Sequence, residues 1–125
     1  MKRSKILVCL MLALVLVVGM ASSAMAAESY SFSFVPPISG EIERSNPAEV
    51  TGSTPYVDPS YGPQYTTYYL VYNSNMASNQ VVSKLARETF TYKSNYGGNG
   101  MSMRMCGNPR YADFTTYKTY GSWQP

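Results

Sequence analysis

Apolar and hydroxylic residues alternate strictly over residues 29–35, with Tyr30, Phe32 and Phe34 on one side and Ser29, Ser31 and Ser33 on the other. A period of two is the mark of a half-buried strand. Pro36 and Pro37 end it, Gly40 follows, and residues 41–44 predict a short second strand. Residues 45–64 carry Pro47, Pro55, Pro59 and Pro63 among Ser, Asn, Gly and Thr. With no apolar periodicity, they predict a long, irregular, proline-rich loop. Residues 65–73 place large side chains on both faces and predict a central strand, which Asn73, Ser74 and Asn75 then turn.

Further along, Val81, Val82, Leu85 and Glu88 fit a helical turn, whereas residues 86–93 alternate. The strand is the preferred reading, with Phe90 and Tyr92 inward, Thr89, Thr91 and Lys93 outward, and a bulge near Ser83. Residues 94–100 form a turn rich in residues that tolerate positive φ. Met101, Met103 and Met105 alternate with Ser102 and Arg104, which reads as the core face of a strand rather than a metal site. Residues 106–109 predict the next turn. Thr115, Tyr117, Thr119, Gly121 and Trp123 stay in phase through a last strand or strand pair at 111–124. Short strands separated by glycine and proline turns predict an all-β domain, a small antiparallel β-sandwich or partly open barrel. The strands are too few and too short for an outer-membrane barrel.

The N-terminus has a different character. Lys2, Arg3 and Lys5 precede an uncharged apolar run from Ile6 to Val18, and small residues lead to Ala24, Met25 and Ala26. A positive end, an apolar middle and a small-x-small site predict a cleavable signal helix over residues 1–26, cut between Ala26 and Ala27. The run is shorter than the roughly 20 residues of a spanning helix, so no permanent membrane span is expected. Cys9 is preceded by Val8, where a lipoprotein needs a small residue. The export machinery and signal peptidase are the implied partners, and the mature domain, residues 27–125, is expected to be secreted or held at the cell surface.

Removing the leader changes the charge. The chain has 10 basic and 7 acidic residues, and Lys2, Arg3 and Lys5 depart with the leader. The mature domain is then balanced, which offers no basic surface for nucleic acid. All 12 tyrosines and the single tryptophan lie after residue 26, a bias that suits pleated strands. Cys106 is the one cysteine left, so an intrachain disulfide is excluded. Strand phase opposes it to the methionine row and predicts a partly accessible thiol.

Candidate chemistry is sparse. Histidine is absent, which removes Ser-His and Cys-His catalysis and zinc sites built from Cys and His. Glu41 and Glu43 form the one close carboxylate pair, about 6.6 Å apart on a strand, a spacing that any such pair would give. No cofactor and no catalytic residue are expected.

The strand Thr89 to Lys93, the glycine turn at 97–100 and the ending Gly121, Ser122, Trp123, Gln124, Pro125 resemble uncharacterised small secreted proteins of Gram-positive bacteria. More loosely, residues 86–125 are similar to lactococcin-type bacteriocins. That resemblance implies a secreted, cysteine-poor β-sandwich acting on the envelope of competing cells. The proline-rich 45–64 segment and the lack of histidine depart from that pattern, and no functional residue carries over.

Three functions are compatible with these residues. One is a binding or interaction module for cell-wall or surface components, in which tyrosines present a flat ring and a hydroxyl. Tyr56, Tyr61 and Tyr65, in or beside the 45–64 segment, are the candidate ligand-binding residues. The others are a bacteriocin-like antimicrobial protein and a matrix protein that self-associates through strand edges.

Overall fold

A computed structural model describes residues 27–35, 42–110 and 116–125. The expected leader, with Ala24 and Ala26, lies outside the described residues, as do Glu41 and Thr115. Ala27 is exposed immediately before the first strand. No helix among the described residues is long and apolar enough to cross a membrane.

The described chain is all-β. Its strands are β1 (Glu28–Phe34), β2 (Glu43–Arg44), β3 (Ala48–Glu49), β4 (Tyr56–Tyr61), β5 (Thr66–Tyr72), β6 (Asn75–Met76), β7 (Val81–Ser83), β8 (Glu88–Thr89), β9 (Ser102–Pro109) and β10 (Tyr117–Gln124). They form two antiparallel sheets that do not close into a barrel. The first runs in the order β1-β10-β4-β8, and the second β2-β9-β5-β6, with β3 also on β9 and β7 also on β5.

The alternation in β1 sends Tyr30, Phe32 and Phe34 into the core, where they meet Tyr117 and Trp123 of β10, Val57 of β4, and Tyr68, Leu70 and Met105 of the second sheet. Tyr30 meets Tyr68 edge-on with centroids 5.7 Å apart, a favoured aromatic geometry. Phe32 lies over Gly107 of the facing sheet: a β-carbon added there would stand 2.5 Å from its ring. Only glycine lets the sheets approach this closely. As its two-sided pattern indicated, β5 is central, paired with β9 on one side and with β6 and β7 on the other. Met103 and Met105 are fully buried.

Three expectations need correcting. The 45–64 segment is not one irregular loop. It contains β3 and the whole of β4, which lies between β10 and β8. Pro59 is tolerated because β8 reaches only Tyr56 and Val57, and because Pro59 adjoins a bulge at which Ser60 has no partner on β10. Both are places where a missing N–H costs no ladder bond. Residues 106–109 are not a turn either. They continue β9 to Pro109, because β5 offers partners as far as Thr66 and Phe32 covers Gly107. Finally, the strand expected at 86–93 is broken. β7 pairs with β5 and β8 with β4, so the chain changes sheets between them; Phe90 is buried as expected.

Polar groups in the core are chained together. The Thr119 hydroxyl donates to the Tyr61 carbonyl at 2.9 Å. It therefore accepts from the Tyr68 hydroxyl at 3.0 Å, and Tyr68 in turn accepts from Tyr30 at 3.1 Å. Burial without such partners would cost about 1–3 kcal/mol per hydroxyl.

Burial also disfavours the phenolate. It raises the Tyr30 phenol far above the ordinary range of a tyrosine and the Tyr92 phenol to about 12. Folded pKa values above the unfolded ones mean stability that is full below the unfolded value and lost as pH rises through the folded one. Thermal stability should therefore fall from about pH 10 upward as unfolding releases these protons. A melting temperature constant up to pH 12 would contradict the burial of Tyr30 and Tyr92.

Candidate functional site

On β4, Val57 and Pro59 are buried, while Asp58 and Ser60 face outward. On β10, Thr119 and Trp123 are buried and Lys118 and Tyr120 are exposed. Strand pairing sets Tyr120 opposite Tyr61, and their rings stack with centroids 5.0 Å apart and planes 13° from parallel. Both remain about half exposed, at 46% and 47%. Each ring gives one face to its neighbour and leaves much of the rest open to solvent.

The bulge beneath them is fixed from three directions. Ser60 Oγ donates to the Tyr120 carbonyl at 3.2 Å, and Thr119 Oγ1 donates to the Tyr61 carbonyl from the core side. Gly121 closes the arrangement, since a β-carbon there would stand 2.2 Å from the Asp58 carbonyl oxygen. The hydroxyl chain in the core and the tyrosine pair on the surface thus meet at one backbone position.

The face continues along both neighbouring strands. Ser31 of β1 pairs with Tyr120, and Ser29 with Ser122. At the far end of β4, Arg87 donates to Asp58 Oδ2 at 2.9 Å and lies over the Tyr56 ring, 4.0 Å from its centroid. An exposed ion pair adds little stability, but here it fixes a charged donor and an acceptor beside the rings. The strands β1, β4 and β10 contribute no exposed aliphatic side chain to this face.

The three tyrosines singled out in the sequence therefore divide. Tyr56 and Tyr61 share β4, with Tyr56 partly covered by Arg87. Tyr65 precedes β5 of the other sheet, is 52% exposed, and has no ring contact with either. Tyr120, Asp58 and Arg87 were missed. For Tyr120 a signal existed, because it falls with Lys118 and Ser122 on the outward phase of a strand whose inward phase was read correctly.

Cys106 occupies the outer face of the second sheet, as its phase required, but it is not accessible: it is 1% exposed. Tyr69, Arg44 and Arg104 surround the thiol, and burial pushes its pKa above that of an ordinary cysteine. A covered, protonated thiol is a weak nucleophile. In the native protein at neutral pH, a maleimide should label Cys106 slowly, and rapidly once denaturant is added. Fast stoichiometric labelling of the native state would contradict the cover.

Among the described residues, no group of three or more His, Cys, Asp or Glu could hold a metal ion. Glu43 lies on β2, and its sequence partner Glu41 is outside the described residues. No family model, no curated protein and no solved structure matches this chain.

Proposed function

We propose that the protein is a secreted or cell-surface binding module that docks an envelope polysaccharide on the outer face of the β1-β10-β4 layer. The stacked, half-exposed Tyr61–Tyr120 pair carries this reading. Sugar rings present apolar C–H faces that stack on tyrosine, together with hydroxyls that need polar partners. Ser31, Ser60, Ser122 and the Asp58–Arg87 pair surround the rings with such partners. A protein partner would call for an apolar centre to the patch, whereas the strands β1, β4 and β10 carry no exposed aliphatic side chain and Val35 stands beyond the end of β1.

The test is retention on purified cell-wall fragments. The mature protein should be retained, and Tyr61→Ala combined with Tyr120→Ala should weaken retention about tenfold or more. Tyr65→Ala, on the other sheet, should bind as the parent does. No retention of the parent, or equal retention of the double variant, would refute the reading.

Self-association is a second reading favoured by one observation. β1 lies at the end of its sheet, pairs only with β10 among the described residues, and carries neither proline nor lysine along Glu28–Phe34. Such an edge can template another strand. Concentration-dependent sedimentation would support it, and a monomer at all concentrations would remove it.

A further inference from the structure

The outer face of the second sheet holds a cationic cleft that the tyrosine face does not explain. Arg44 of β2 pairs with Cys106 of β9, and Arg104 stands two residues along β9 from Cys106, on the same face. Strand pairing alone therefore makes the two guanidinium groups cross-strand neighbours. Like charges so placed repel, and among the described residues neither guanidinium has an acidic partner within ion-pair distance. Both side chains are exposed, so neither is needed to fill the core.

The two arginines line a cleft of about 310 Å³ with Pro47, Val71, Asn73, Ser74 and Ser102. That is within the size range of small-ligand sites. Among the described residues no acidic side chain lines it, although Glu49 lies opposite Ser102 in register, while Asn73, Ser74 and Ser102 add neutral polar groups. Arg104 is positioned in advance, because its Nη1 donates to the Ser45 carbonyl at 3.0 Å and the other guanidinium N–H groups stay available. The rim is rigid as well. Asn73 and Ser74, with φ of 46° and 70°, form the two-residue turn between β5 and β6, the tight hairpin type in which both central residues take positive φ.

We infer that this cleft binds a phosphate group, with Arg44 and Arg104 donating to its oxygens and Val71 and Pro47 bordering the rest of the ligand. A carboxylate is satisfied by one guanidinium fork, whereas two converging guanidiniums match the several oxygens of a phosphate. The phosphate could belong to a small free anion or to a phosphodiester polymer, and the probes separate the two. The site is on the opposite sheet from Tyr61 and Tyr120 and stands or falls independently of the polysaccharide reading.

Calorimetric titration of the mature protein with inorganic pyrophosphate and with poly(glycerol phosphate), at low and at high salt, provides the test. Saturable binding of at least one probe, weakened by salt, is expected. Arg44→Gln should reduce it at least tenfold and Arg44→Lys by less, while the Tyr61→Ala and Tyr120→Ala double variant should bind as the parent does. Arg104→Gln removes the bond to Ser45 as well, so its melting temperature is read alongside. Binding of pyrophosphate as tight as that of the polymer assigns the site to small anions, and binding of the polymer alone assigns it to a phosphodiester chain. Failure of the parent to bind either probe, or binding unchanged by Arg44→Gln, overturns the inference.

Discussion

Trp123→Ala is expected to cost about 3–5 kcal/mol of stability, the range for truncating a large buried aromatic side chain. The ring is fully buried between β1 and β4, whose Glu28 and Val57 flank it in register. It belongs to the cluster built from Phe32, Phe34, Tyr68 and Leu70 of both sheets. Removing it opens a void that fixed strands cannot collapse, and no disulfide makes up the loss. For a domain of this size the melting temperature should fall by about 15 °C or more. Trp123→Phe should cost much less, because the indole Nε1 has no hydrogen-bond partner to lose. As the one tryptophan in the chain, Trp123 also reports its own environment. Its native fluorescence should be blue-shifted and move to the red on unfolding, and a melting temperature unchanged in Trp123→Ala would show that the ring is not a core element.

Gly121→Val is expected to cost about 3 kcal/mol, the upper part of the overpacking range. The obstacle is backbone rather than a movable side chain: the Asp58 carbonyl oxygen, the Pro59 Cα and the Ser60 nitrogen all lie within 3 Å of the position a β-carbon would take. The substitution must push β4 away from β10 at the bulge, and the Tyr61–Tyr120 stack with it. Loss of stability and loss of cell-wall retention should therefore appear together. Chemical denaturation and the retention assay measure the two effects. A variant as stable as the parent would show that the bulge yields freely, and the account of how the tyrosine pair is held would fail.

Much of the fold was legible because alternation is a local signal. Ser29 to Val35 states its register in its own residues, and so do the methionine row of β9 and the inward phase of Tyr117, Thr119 and Trp123. β4 was hidden by composition. Its residues alternate, with Val57 and Pro59 inward and Asp58 outward, but four prolines in twenty residues read as loop. What lets Pro59 remain in a strand is the short reach of β8 and the bulge opposite Gly121, and both are set by other segments. Residues 106–109 misled for the related reason that Gly107 and Pro109 look like a turn until Phe32 and β5 are placed beside them.

The candidate site was legible in part. Tyr61 was singled out because it lay within the presumed loop, and it is exposed because it ends an outer-face strand. Its partner is 59 positions away in register terms, Tyr61 against Tyr120, and no local pattern announces that pairing. The same applies to Arg44 and Arg104, whose convergence depends on the short β2 pairing with β9. Cys106 shows the limit of phase: it gave the correct face, whereas the cover from Tyr69 and Arg44 is a tertiary fact.

The most direct test of the account is a nuclear magnetic resonance titration of residues 27–125 with soluble cell-wall polysaccharide, following the tyrosine ring protons. The account predicts saturable shifts at Tyr61 and Tyr120, smaller shifts at Tyr56 beneath Arg87, and none at Tyr65. Shifts confined to Tyr65 and Tyr69 on the other sheet, or no shift at any tyrosine, would contradict it.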